Sequence, residues 1–179
     1  MIEADFVEHM VRSSTDLFGP SVDRFDCAIL NPPYRKIRTK SDYRTLLSRQ
    51  GIEVSNLYAG FVALAVRALS PGGQLVAITP RSFCNGPYFN AFRTDFLQRM
   101  KINRLHVFDS RTEAFGGDGV LQENIIFHAT ASQDDPVEVL VTSSSGAPNA
   151  ALLQRRVPYE RVVPSGAAVP VIYLSLIHI

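Results

Sequence analysis

Hydrophobic positions fall into short continuous runs separated by stretches of helical period. Phe25 to Leu30 is nearly all apolar, broken by Asp26 and closed by Asn31 and two prolines, the pattern of a strand buried on both faces. Leu57, Phe61, Leu64, Ala65, Ala68 and Leu69 recur at helical spacing, with Ser55 or Asn56 as cap and Pro71-Gly72-Gly73 as stop, and predict a helix. Gln74 to Thr79 predicts a second buried strand, and Phe89, Phe92, Phe96 and Leu97 predict a second helix over Tyr88 to Met100. Arg104 to Phe108, Asn124 to Ala129 and Val137 to Val141 then predict three strands with no helix between them. Alternation early and consecutive strands late predict an α/β fold with a Rossmann-like sheet, parallel at first and ending in an antiparallel hairpin. Ligands bind such sheets beyond the carboxyl ends of the strands, which is where Asn31 lies.

Composition narrows this picture. A chain of 179 residues, 46% hydrophobic, suits one folded domain. After Thr142 the sequence turns to Ser, Gly, Ala and Pro, so 1–142 reads as the domain and 143–173 as a linker toward a further one. The final LSLIHI, Leu174 to Ile179, is a one-frame translation of CTGTCTCTTATACACATC, which resembles a transposase end used in sequencing libraries; 174–179 is therefore expected to be a sequencing artefact. The net charge of +1 means that any nucleic-acid surface must come from local clustering of Lys and Arg. Cys27 and Cys84 stand apart, and the four histidines lack ligand spacing, so no metal site is expected. Lone thiols, no apolar run of membrane-spanning length and no signal-peptide pattern suit a cytoplasmic protein. Phe115 to Gly119, F-G-G-D-G, lacks dinucleotide-fingerprint spacing and reads as a loop near the site.

The chemistry concentrates at Asn31-Pro32-Pro33-Tyr34. The tetrapeptide resembles the catalytic motif of S-adenosylmethionine-dependent methyltransferases that modify amino or amide nitrogens. An adenine amino nitrogen shares its lone pair with the ring and is a poor nucleophile. If the Asn31 side-chain oxygen and the Pro32 carbonyl each accept one of its N–H bonds, the nitrogen is drawn toward tetrahedral geometry and its lone pair is freed. Prolines fix φ and hold both acceptors before substrate arrives. Tyr34 would stack on the base. The plain alternative is a strand terminator, since Asn and Pro punctuate strands generally.

NPPY, then NLYAGFVALAVRALSPGGQLVAITPRSFCNGPYFNAFR, then LHVFDSR, an F-G-G loop and ENIIF together resemble the N6-adenine DNA methyltransferases of restriction-modification systems over about Ile2 to Ala129. The resemblance implies a catalytic domain lacking its N-terminal strands, with 1–142 as the C-terminal part of that domain. It implies S-adenosylmethionine as cofactor, with Asp5 and Phe6 touching its adenosine; their alternative is a helix-start Asp and a core Phe. It implies double-stranded DNA with a flipped adenine as partner, and Phe127 as a second stacking residue beside Tyr34, against the alternative of a core aromatic. Arg35, Lys36, Arg38 and Lys40, followed by Arg44 and Arg49, would meet the DNA backbone, or else form a solvated loop. A fused or partner restriction nuclease is a further implied partner. The glycine-rich cofactor turn and the target-recognition domain would lie outside this chain, so the fragment alone is expected to be inactive and aggregation-prone, with an exposed sheet edge. Methylation of protein glutamine or RNA bases, or a silent DNA-binding subunit, are the competing readings.

Overall fold

The computed structural model describes residues 3–15, 24–108, 123–147 and 149–174. Strands β1 (Phe25–Leu30), β2 (Leu69–Pro80), β3 (Lys101–Phe108), β4 (Asn124–Thr130), β5 (Glu138–Ser144) and β6 (Leu153–Pro158) form one sheet in the order β1-β2-β4-β3-β5-β6. β1 and β2 are parallel and are linked through helix α3 (Leu57–Arg67), as the alternation predicts. β4 runs antiparallel to both β2 and β3, which supplies the expected hairpin. β5 then adds parallel to β3, and β6 antiparallel to β5.

Alternate residues on the strands sort to two faces. Leu75, Ala77, Leu105, Ile125, Phe127, Ala129 and Val141 are buried on one face, where α3, helix α4 (Asn90–Arg99) and Phe83 complete the core. The opposite face carries Gln74, Val76, Ile126 and His128, with Arg104, His106, Leu140 and Thr142, around a broad hollow of about 590 Å³. β1 is an edge strand among the described residues, and Ile29 there is 84% exposed.

Two helices ahead of β2 escape the sequence reading. Helix α1 (Phe6–Thr15) is capped by Asp5, whose Oδ1 accepts the Glu8 amide at 3.1 Å, and it buries Val7 and Val11. Helix α2 (Asp42–Arg49) starts at Ser41, whose hydroxyl accepts the Arg44 amide, and it buries only Leu47. Gly60 on α3 admits this leucine, since a Cβ there would lie 2.8 Å from Leu47 Cδ1.

The stretch 143–173, expected to be a linker, is instead part of this domain. β6 completes the sheet, helix α5 (Tyr159–Val162) follows, and Val157, Val162 and Ile172 are buried. Average composition hides the reason: four buried side chains, Val157, Tyr159, Val162 and Ile172, and a paired strand hold a segment otherwise rich in Ser, Gly and Pro. Leu174 packs against the core, while 175–179 lie outside the described residues.

Candidate active site

β1, expected to be buried on both faces, has no buried residue, because it is the edge strand among the described residues; it stops where Asn31 and two N–H-less prolines end the ladder. Asn31 and Pro33 are exposed, Pro32 is buried and Tyr34 is half-buried. Among the described residues, neither the Asn31 amide oxygen nor the Pro32 carbonyl accepts a hydrogen bond, so both acceptors are left over after folding. The Tyr34 hydroxyl donates to the Ile78 carbonyl of β2 at 3.3 Å, which ties the tip to the next strand. Its ring meets Tyr58 edge-on, with centroids 6.2 Å apart. Tyr58, fully buried on α3, lies 5.6 Å from the Phe89 ring, and its hydroxyl is 3.3 Å from Ser82 Oγ. Burial pushes both phenols up, so both stay neutral.

After the tip, the backbone is pinned rather than loose. Leu57 N–H donates to the Arg35 carbonyl at 2.9 Å, Lys36 forms an antiparallel bridge with Asn56, and Ile37 N–H donates to the Ser55 carbonyl at 2.8 Å. The side chains of Arg35, Lys36, Arg38 and Lys40 all remain exposed. Farther on, α2 replaces the expected loop, and Arg44 turns back to the Val54 carbonyl at 3.4 Å.

Asp5 and Phe6 sit at the start of α1. The Asp5 Oδ2 accepts the Tyr43 hydroxyl at 2.5 Å. Burial raises the Asp5 carboxyl, but hydrogen bonds from Tyr43 and from the Glu8 and Val7 amides, with the Arg35 charge, outweigh it and leave it below the usual range. A carboxylate offers about four lone-pair sites, so these bonds leave room for another donor. The Phe6 ring stacks on Phe61 at 4.8 Å and is half-buried. The helix-cap and packing roles weighed in the sequence are both seen here.

Phe127 takes the other of its two expected roles. It is 1% exposed, with its ring 5.6 Å from Phe83 and 5.5 Å from Phe96, so it is packed in the core. Its apolar neighbours in NIIF could not reveal which face it takes, but its register opposite Ala77 and Leu105 does. Phe115 to Gly119 lies outside the described residues. Among the described residues no cluster of His, Cys, Asp or Glu could hold a metal, and no helix is long and apolar enough to cross a membrane.

Sequence reasoning missed Tyr58, whose place in a helical apolar stripe gives no sign of its contact with Tyr34. It also missed Thr79 and Asn124 at the same sheet end, whose Oγ1 and Oδ1 are buried without a hydrogen-bond partner among the described residues. The only signal for these two was a polar residue bordering an apolar run.

The whole arrangement has relatives. Residues 3–115 match the Eco57I restriction-modification methylase family model. The type II methyltransferase M.PstI of Providencia stuartii is 48% identical over 166 residues, which is 92% of this chain and 32% of that protein. M.BsuBI of Bacillus subtilis is 44% identical over 165 residues, 89% of this chain and 32% of that protein. The chain thus spans about a third of the length of these relatives. A Listeria monocytogenes structure described as a class I S-adenosylmethionine-dependent methyltransferase aligns with a TM-score of 0.54 at 16% identity, over 71% of this chain and 39% of that one. That likeness is one of fold: a shared α/β sheet. Because the family model matches more than half of this chain, the chain belongs to the Eco57I restriction-modification methylases.

Proposed function

We propose that the full-length protein carrying this chain transfers a methyl group from S-adenosylmethionine to the N6 amino group of adenine in DNA. The observation that carries this reading is the pair of unengaged acceptors, the Asn31 amide oxygen and the Pro32 carbonyl, on a proline-fixed strand end beside Tyr34. Flipping a base out of duplex DNA costs a few kcal/mol of pairing and stacking. Exposed Arg35, Lys36, Arg38 and Lys40 would hold the backbone while it happens. The flipped base would lie against Tyr34, whose ring is fixed by its bond to Ile78 and its contact with Tyr58.

S-adenosylmethionine, when bound, supplies an electrophilic methyl on a positively charged sulfur. Asp5 and Phe6 would hold its adenosine. Asn31 and Pro32 would accept the two amino protons and direct the nitrogen lone pair outward. As nitrogen forms the new bond it becomes positive, so both hydrogen bonds strengthen in the transition state. The surplus proton then leaves to water, and the S–CH3 electron pair stays on sulfur as a neutral thioether.

The test is product identification. Full-length protein, labelled cofactor and duplex DNA should yield N6-methyladenine on nucleoside analysis. Label in protein glutamine, in RNA or on cytosine, or no transfer at all, would overturn the reading.

A further inference from the structure

Arg93 is 1% exposed, yet among the described residues no carboxylate pairs with it. The acceptors it uses are uncharged. Its Nε donates to the Pro170 carbonyl, its Nη1 to the Phe83 carbonyl at 2.7 Å and the Gly86 carbonyl at 3.1 Å, and its Nη2 to Asn90 Oδ1 at 2.6 Å. Burying a cation is a poor way to gain stability, because a well-packed apolar side chain usually does as well or better. What a planar guanidinium does well is fix several acceptors in one geometry. Here it joins α4, the turn 83–86 that follows β2, and the segment 163–172 that follows α5.

The same turn is gripped twice. Ile172 N–H donates to the Cys84 carbonyl at 2.8 Å, and the Ile172 side chain is buried. Within the turn, Gly86 N–H donates to the Ser82 carbonyl at 2.9 Å. A Cβ on Gly86 would lie 2.5 Å from that oxygen, so the turn has one compact form. Ser82 Oγ reaches the Tyr58 hydroxyl, and Tyr58 supports the Tyr34 ring. A continuous path of touching groups therefore runs from Pro170 through Arg93, the turn and Tyr58 to the tip.

We propose that Arg93 is a positioning residue for methyl transfer: it locks the segment 163–172 onto the turn 83–86, and through Ser82 and Tyr58 that lock sets the placement of Tyr34. The inference rests on the reading of Asn31 to Tyr34 as the reacting tip. Lysine cannot replace the fork, because a point cation cannot span acceptors on three chain segments.

The experiment uses the full-length protein with Arg93→Lys and the milder Asn90→Ala, which removes a single acceptor. Arg93→Lys should lower kcat about 10-fold while leaving the KM for DNA within about 2-fold, since misplacement affects the reacting geometry and leaves ground-state binding intact. Asn90→Ala should show the same split at about 3-fold. In hydrogen exchange, the Ile172 and Gly86 amides should lose protection together while β3 and β4 amides keep theirs. Lost protection at Ile172 with unchanged kcat per folded molecule would overturn the proposal, leaving Arg93 a fastening only. So would independent behaviour of Ile172 and Gly86. If Arg93→Lys does not fold, Asn90→Ala decides by the same criteria. If the unaltered protein transfers no methyl group, the proposed function fails, and separate exchange at the two amides would still refute the lock.

Discussion

The NPPY tip and the cluster of Phe83, Phe92, Phe96 and Phe127 both rely on aromatic rings, yet folding leaves them in opposite states. Phe83, Phe92, Phe96 and Phe127 are buried, with neighbouring ring centroids 5.5–6.2 Å apart, and have nothing left to offer a ligand. Asn31 and Pro33 are exposed, and the two acceptors of the tip remain unengaged among the described residues. Rigidity comes to the cluster from close packing, and to the tip from proline geometry, one hydrogen bond to Ile78 and the Tyr58 edge. Stability and chemistry are therefore carried by different aromatics, and substitutions should separate them.

The largest expected effect on folding is at the cluster. Phe127→Ala should lower unfolding free energy by about 3–5 kcal/mol in denaturant titration of the full-length protein, with activity per folded molecule retained. A small stability change with a large activity loss would return Phe127 to the base-stacking role. Next is Gly86→Ala, whose Cβ meets a backbone oxygen in the compact turn; a loss of about 1–3 kcal/mol should appear as a lowered thermal midpoint. Tyr34→Phe keeps the ring and removes only its bond to Ile78, so about 0.5–1.5 kcal/mol of stability should go, with partial activity. Smallest in folding terms is charge removal from the track after the tip. Arg38→Gln or Lys40→Gln should leave the midpoint unchanged and reduce the salt dependence of DNA binding by about 0.9 in log–log slope for each phosphate that is no longer neutralised.

A pH titration adds one sign test. Because the Asp5 carboxyl is held below its usual range, its cap on α1 and its bond to Tyr43 contribute above the unfolded carboxylate pKa. That contribution is lost as pH falls through the lower folded value, and Asp5→Asn should flatten acid unfolding in that window.

What the sequence revealed depended on how its residues are spaced. β1, α3 and β2 were legible because their apolar positions form an unbroken run or a helical stripe, and the tip because two prolines end such a run. α1, α2 and β6 were not, since each rests on one or two buried residues, such as Val7 and Val11, Leu47 or Val157, scattered in polar sequence. Within the site, Asn31 to Tyr34 are adjacent in the chain and could be read together. Tyr58, Ser82 and Arg93 meet only through the fold, and a buried arginine on a helix otherwise reads as a surface residue.

Asn31→Ala in the full-length protein tests the central claim most directly. Single-turnover methyl transfer to a duplex containing the target adenine should fall about 10²- to 10³-fold, as expected for loss of one transition-state acceptor, while the unfolding free energy stays within about 0.5 kcal/mol. A rate equal to that of the unaltered protein would contradict the account and leave the tip a strand terminator.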